Sequence, residues 1–320
     1  MYISTIKENE YRERIVETEA YLSKKANVGN FRSFDGAELA YEYYLTNPCR
    51  SSIIIIHGFT EFAKKYREMC WYFLNSGHNV FVFDQRGHGL SHRDVSPLQL
   101  THVDRFSDYA DDLKEFIDKV VSPASGDLPL FIYSHSMGGA ITLDFIERNP
   151  GRIAKAVLSA PMLCPVTRGL PRKVLRKIVE TQAEKDGWRA RFKYSGEFNP
   201  APEFERTSDI SRARFDYHMQ SRLAEERYQT SAATNRWMYE ALSLIDTVGA
   251  KRNVSEISAE ILVFSAEKDK VVRNRPQRIF ASWLPKGRHI FIKGAKHNLH
   301  SSSDEILQQY INDILEFFSN

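Results

Sequence analysis

Short unbroken apolar runs recur along the chain, separated by longer stretches whose apolar residues return every three or four positions, and this alternation predicts repeated βαβ units. Residues 53–56, 80–83, 130–133 and 154–159 read as buried strands, and 261–265 (ILVFS) and 289–292 (HIFI) continue the series. Residues 31–44 read as a β-hairpin, because alternating apolar positions flank the turn pair Asp35-Gly36. The expected fold class is therefore α/β: a mostly parallel central sheet flanked by helices, with an antiparallel start. Residues 5–23 predict an amphipathic helix with Ile6, Tyr11, Ile15 and Tyr21 among its apolar positions. A last helix is expected over 304–318, opening at SSSDE, where Ser302 and Glu305 have the spacing of a capping box.

Between residues 161 and 245 the strands stop and the pattern becomes helical and charged, with scattered proline. This predicts a helical cap, 161–245, inserted into a core made of 1–160 and 246–320. Within it, PRKVLRKIVETQAEK puts Val174, Leu175, Ile178 and Val179 on one face and Arg172, Lys173, Arg176 and Lys177 on the other. Such a helix either makes peripheral contact with an anionic membrane or lipid phosphate, or is a cap helix with a solvated face; the second reading is preferred.

The most informative stretch is LFIYSHSMGGAIT (130–142), an apolar run leading through Ser136 into a glycine pair and a helical pattern. That is the layout of a nucleophile elbow, a sharp strand-to-helix turn that exposes a serine hydroxyl and needs small residues two positions either side. Gly138 meets the requirement after the serine. Ser134 stands where the usual GxSxG pattern has glycine, a substitution expected to be tolerated. The plainer reading of Ser136 is an inert serine at a helix N-terminus, and the ordered partners that follow weigh against it.

A serine nucleophile needs a base and a group that orients the base, and in an elbow the chain order is nucleophile, acid, histidine. Asp269 follows the run 261–265 and His297 follows 289–292, so all three candidates lie just past strand ends, where open α/β sheets place their ligands. Ser136 would attack, His297 would move the proton, and Asp269 would fix the ring's tautomer. Glu267 and His300 are the alternatives to Asp269 and His297. His135 is expected to point away from the nucleophile as a packed residue, and His88, in the glycine-rich turn DQRGHGLS, to be structural. Two oxyanion donors are expected from backbone amides: Met137, directly after the nucleophile, and Phe59, in the turn after the strand 53–56.

With these residues placed, the chain resembles the bacterial lysophospholipase and monoacylglycerol lipase family of serine α/β-hydrolases. The likeness is carried by HGFTE (57–61), FDQRGHGLS (83–91), HVDRFSDYADDL (102–113), SHSMGGAI (134–141), AEKDKVVRNR (266–275) and IKGAKHNL (292–299). It implies hydrolysis of a lipid-like acyl ester without metal or organic cofactor. Another serine hydrolase on the same scaffold, such as a thioesterase, aminopeptidase or acyltransferase, is the alternative, as is a catalytically silent fold used for binding.

Composition changes this picture little. With 320 residues, 42% hydrophobic and 27% charged, the chain can bury a large core. A net charge of +3 suggests no nucleic-acid partner. Three widely separated cysteines, Cys49, Cys70 and Cys164, argue for a reducing compartment and show no metal-ligand spacing. The charged N-terminus lacks the apolar centre of a signal peptide, so cytoplasmic residence is expected, and nothing in the pattern speaks to oligomeric state.

Overall fold

In the computed structural model, which describes residues 3–167 and 169–320, eight strands form one sheet. They are β1 (Asn27–Arg32), β2 (Glu38–Tyr44), β3 (Ser51–Ile56), β4 (His78–Phe83), β5 (Leu130–His135), β6 (Lys155–Ser159), β7 (Glu260–Ala266) and β8 (Gly287–Ile292). Their order is β1-β2-β4-β3-β5-β6-β7-β8, antiparallel from β1 to β4 and parallel from β4 onward. Central strands β3 and β4 are buried at every position, as strands apolar on both faces must be when helices cover both sides. The outer strand β8 is half solvated and leaves Phe291 exposed.

Flanking the sheet are α1 (Tyr11–Lys25), α2 (Arg67–Asn75), α3 (Asp108–Phe116), α4 (Met137–Arg148), α8 (Asn274–Trp283) and α9 (Asp304–Ser319). The segment 161–245 holds α5 (Arg172–Asp186), α6 (Arg212–Ala224) and α7 (Asn235–Leu244) and, among its described residues, no strand of the main sheet. A two-residue parallel pairing, Leu100–Thr101 with Ala232–Ala233, ties it to the loop after β4. The stronger tie is Arg214 on α6, which is fully buried. Its Nη2 donates to Glu68 Oε1 at 2.7 Å and to the Ile6 carbonyl at 2.7 Å, and its Nε donates to Glu68 Oε2 at 3.0 Å.

The turn after β4 is built from buried polar contacts. Asp84 accepts the amides of Ala63 (2.6 Å) and Leu90 (2.8 Å), and a Cβ on Gly89 (φ +50°) would lie 2.0 Å from its carboxyl carbon. Arg86 makes a two-pronged pair with Asp112 at 2.6 Å on each prong and reaches Asp35 in the hairpin turn at 2.8 Å. Much of DQRGHGLS and DYADDL is thereby explained as fold-holding, and buried His88 donates to the Arg86 carbonyl at 3.0 Å, its other ring nitrogen unbonded among the described residues.

Three expectations need correction. The first helix begins at Tyr11 after a 3₁₀ turn (Glu8–Glu10), not at residue 5. The amides of Thr5, Ile6 and Glu8 are spent on Gln308, Tyr72 and Asp304, at 3.0, 2.8 and 2.9 Å, which holds these residues out of a helix. Its inner face is Tyr11, Ile15, Thr18 and Leu22, with Tyr21 exposed. Second, α9 is capped at Ser303, one residue past the expected position, so Ser302 and Glu305 are out of register and no cap side-chain bond forms. Third, α5 turns Val179 and Ala183 inward, leaves Val174 exposed, and points two of its basic residues at α7's end: Arg172 and Arg176 pair with Asp246 at 3.3 and 3.0 Å. Among the described residues no helix is long and apolar enough to cross a membrane.

Candidate active site

Ser136 sits between β5 and α4 with φ 51° and ψ −114°, a conformation that L-residues avoid and that only a tightly packed surround maintains. The surround is visible at the next residues. A Cβ on Gly138 would lie 2.2 Å from the Ile56 carbonyl oxygen, and one on Gly139 would lie 2.6 Å from Pro161 Cβ. Helix α4 thus starts flush against the end of β3. Ser134 fits two residues before the nucleophile: it is buried and donates from Oγ to the Val157 carbonyl at 3.2 Å.

Three residues from three separate strand ends meet here. Ser136 Oγ lies 2.9 Å from His297 Nε2, and His297 Nδ1 lies 2.7 Å from Asp269 Oδ2. Asp269 Oδ1 accepts the amides of Val271 (2.7 Å) and Val272 (2.9 Å), so the carboxylate is held on both sides. Burial alone would raise the Asp269 carboxyl, but the bond and charge of His297 and the two amides bring it below the usual range. Burial pushes the His297 imidazolium the other way and outweighs the support of Asp269, so the ring loses its proton more readily than an ordinary histidine. A neutral imidazole with Nδ1–H turned to Asp269 can accept from the serine hydroxyl.

The alternatives lie elsewhere. Glu267 accepts the Gly294 amide at 2.8 Å, and the His300 ring packs 5.0 Å from Tyr66 with neither nitrogen bonded among the described residues. Met137 is the buried first residue of α4, and Phe59 lines the cavity that opens over Ser136, its ring stacked 4.3 Å from Trp237. The amide of Gly58 is already taken by Glu61 Oε2 at 2.6 Å.

Sequence reasoning gave Glu61 no role and His135 only a packing one. Glu61 is buried and also accepts from Tyr66 at 2.6 Å and from Lys65. His135 Nδ1 lies 3.0 Å from Glu61 Oε2, and its Nε2 lies 3.2 Å from the carbonyl oxygen of His297. Burial raises the Glu61 carboxyl, yet the Lys65 ammonium and His135 together hold it well below the carboxylate range. One carboxylate therefore braces the turn after β3 and, through His135, the backbone of His297. The signal was the glutamate inside HGFTE, four residues before a lysine.

The cavity has a volume of about 440 Å³ and is lined by both the core and the 161–245 segment, including Phe215, Met219 and Arg222 from α6. No group of side chains suited to a metal ion occurs among the described residues.

The family model described as serine aminopeptidase, S33, matches residues 47–304. Lysophospholipase L2 of Escherichia coli (strain K12) is 28% identical over 275 residues, covering 83% of this chain and 80% of its own. Probable lysophospholipase L2 of Haemophilus influenzae is 26% identical over 308 residues, covering 93% and 91%. Among solved structures, a soluble variant of monoglyceride lipase from Saccharomyces cerevisiae superposes with a TM-score of 0.71 at 18% identity, covering 92% of this chain and 96% of that one. A carboxyl esterase from Bacillus coagulans gives a TM-score of 0.75 at 18% identity, covering 92% and 98%. The fold is that of the α/β-hydrolases, and the chain belongs to the serine aminopeptidase S33 family within them, alongside the lysophospholipases and monoacylglycerol lipases it resembles in sequence.

Proposed function

We propose that the protein is a serine carboxylester hydrolase of lipid esters, taking lysophospholipids or monoacylglycerols. The observation that carries this reading is the continuous contact from Asp269 through His297 to Ser136 at a cavity shared with the 161–245 segment. The lysophospholipase and monoglyceride lipase relatives support the substrate class.

In this reading Ser136 Oγ attacks the ester carbonyl while His297 Nε2 takes its proton. The tetrahedral oxyanion is held by the amides of Met137 and Phe59, each worth about 3 kcal/mol of barrier. The imidazolium then gives its proton to the departing glycerol oxygen, leaving an acyl-enzyme, and a water activated by the same ring releases the fatty acid. Asp269 keeps Nδ1 protonated throughout. No cofactor is required for these steps. The segment 161–245 serves as a cap that shapes the acyl pocket and excludes water. Exposed Val166, Leu170 and Val174, with Lys173 and Lys177 beside them on the cap, suit peripheral contact with an anionic membrane surface. The three free thiols support a cytoplasmic location.

A mixed substrate panel tests the reading. Release of fatty acid is expected to be fastest from lysophospholipids or monoacylglycerols. Equal or better turnover of short soluble esters contradicts the lipid assignment, and faster cleavage of aminoacyl amides would favour the peptidase activity in the family's description.

A further inference from the structure

The cavity over Ser136 is lined by two permanent cations, Lys65 and Arg222, and they differ in one respect. Lys65 is neutralised by its pair with Glu61. Arg222, in the last turn of α6, has no carboxylate partner among the described residues, although it is half-buried. Its Nε donates to the Tyr228 carbonyl at 3.1 Å and its Nη2 to the Thr230 carbonyl at 2.9 Å, while Phe198 lies under the guanidinium, 4.7 Å from its centre. No hydrogen bond is made from Nη1 among the described residues. Nearby Arg93 shows what a purely structural arginine does here: its Nε, Nη1 and Nη2 all donate, to the carbonyls of Leu98, Gly89, Ser91 and Arg227 and to Thr230 Oγ1.

A guanidinium desolvated without a counter-ion carries an electrostatic cost, and burial lowers the Arg222 pKa to about 10. It remains charged at neutral pH, fixed in orientation by two carbonyls and stacked on a ring, and it lines the cavity that also holds Ser136, with donors to spare among the described residues. That is the arrangement of a preset anion anchor. The same cavity presents the buried carboxylate of Asp209, whose Oδ1 accepts from Asn298 at 3.0 Å. A guanidinium and a carboxylate, neither with an ion-pair partner among the described residues, match a head group in which a phosphate is followed by an ammonium.

We propose that Arg222 receives the phosphate of the substrate's head group and so selects lysophospholipids over uncharged monoacylglycerols. The proposal rests on the lipid-ester reading above and adds to it the identity of the leaving alcohol: a phosphorylated glycerol. It also assigns a specificity role to a cap residue outside the Ser136, His297 and Asp269 contacts.

The test compares kcat/KM for a lysophosphatidylethanolamine and for the monoacylglycerol of the same chain, in wild type, Arg222→Gln and Arg222→Lys. The ratio is expected to fall about tenfold to a hundredfold in the glutamine variant, the scale of a charge-assisted hydrogen bond, and to recover in part in the lysine variant. A ratio that does not move in either variant, or an equal loss on both substrates, overturns the proposal and leaves Arg222 a structural tie between α6 and residues 228–230. A second arm needs no variant: inhibition of p-nitrophenyl butyrate hydrolysis by a non-hydrolysable ether lysophospholipid, by 1-O-hexadecylglycerol and by inorganic phosphate. The ether lysophospholipid is expected to inhibit at least tenfold more tightly than 1-O-hexadecylglycerol, with inorganic phosphate ineffective at the same concentration. Equal potency of the two ethers, or equal potency of free phosphate, refutes the head-group contact. Should the wild type cleave p-nitrophenyl butyrate but neither lipid, the lipid-ester reading fails by itself, and the same inhibition measured in Arg222→Gln still decides the role of Arg222: a preference for the ether lysophospholipid that survives in that variant overturns it.

Discussion

Gly138→Ala is the sharpest probe of how the elbow is held. The added methyl carbon would sit 2.2 Å from the Ile56 carbonyl oxygen, 2.8 Å from its carbonyl carbon and 2.9 Å from the His57 carbonyl oxygen. All three are backbone atoms of a central strand and the turn that follows it, so none can rotate aside. Ordinary contact needs about 3.5–4.0 Å, and the first turn of α4 must therefore move by about 1 Å or more away from β3. That movement separates the Met137 amide and Ser136 from the Phe59 turn, since the two walls of the proposed oxyanion site are the two surfaces being forced apart. Misplacement on this scale costs about a hundredfold in rate, or about 2.7 kcal/mol of transition-state stabilisation. Overpacking should cost about 1–3 kcal/mol of stability besides. The assay is kcat/KM on a monoacylglycerol beside a urea melt, with Gly151→Ala as the comparison, because that glycine has a positive φ but nothing within 4 Å of the added atom. The comparison variant should lose stability alone. If Gly138→Ala keeps its activity within threefold of wild type, the oxyanion site does not depend on the close approach of α4 to β3.

Other consequences follow from the same contacts. Asp269→Asn should lower kcat by about four orders of magnitude with little change in fold: Oδ1 is required by the Val271 and Val272 amides, so the new NH₂ faces His297 Nδ1 and forces the proton onto Nε2. A loss below tenfold in steady-state kinetics would contradict this. The kcat/KM profile should fall in acid as His297 gains a proton, with its midpoint below the ordinary histidine value because burial disfavours the imidazolium; activity is full above that midpoint and lost beneath it, and a midpoint at or above about 6.5 is the contrary result. Arg214→Leu leaves Glu68 buried without its partner and should cost about 3–5 kcal/mol in urea unfolding, part of it regained in the double variant with Glu68→Gln. A cost under 1 kcal/mol would show that this pair does not clamp α6 to the core.

What could be read from the sequence follows the reach of its physics. Central strands such as 53–56 declare themselves because burial on both faces demands continuous apolar runs, and the Asp35-Gly36 hairpin because the turn requires a positive φ, +89° at Gly36. Ser136, Asp269 and His297 could be named because each follows a strand end in a fixed order. Legibility stops where tertiary partners compete with local rules. Residues 5–8 look helical, but distant side chains take their amides. On α5, Val174 belongs to an apolar pattern but not to the face that α7 covers, and periodicity alone does not say where a neighbouring helix lies. The Glu61–His135 brace was hidden for a similar reason. The amide, phenol and ammonium that Glu61 gathers lie within five residues of it, and the spacing to Lys65 is visible, but His135 comes from β5 and no local spacing links it to Glu61.

The central claim is that Ser136 is the nucleophile, activated by His297. A fluorophosphonate probe followed by intact-mass measurement and peptide mapping tests it directly. One adduct per chain is expected, on Ser136, abolished in Ser136→Ala and strongly slowed in a folded His297→Ala variant. An active wild type that takes no label, or a label mapped to another residue, contradicts the account.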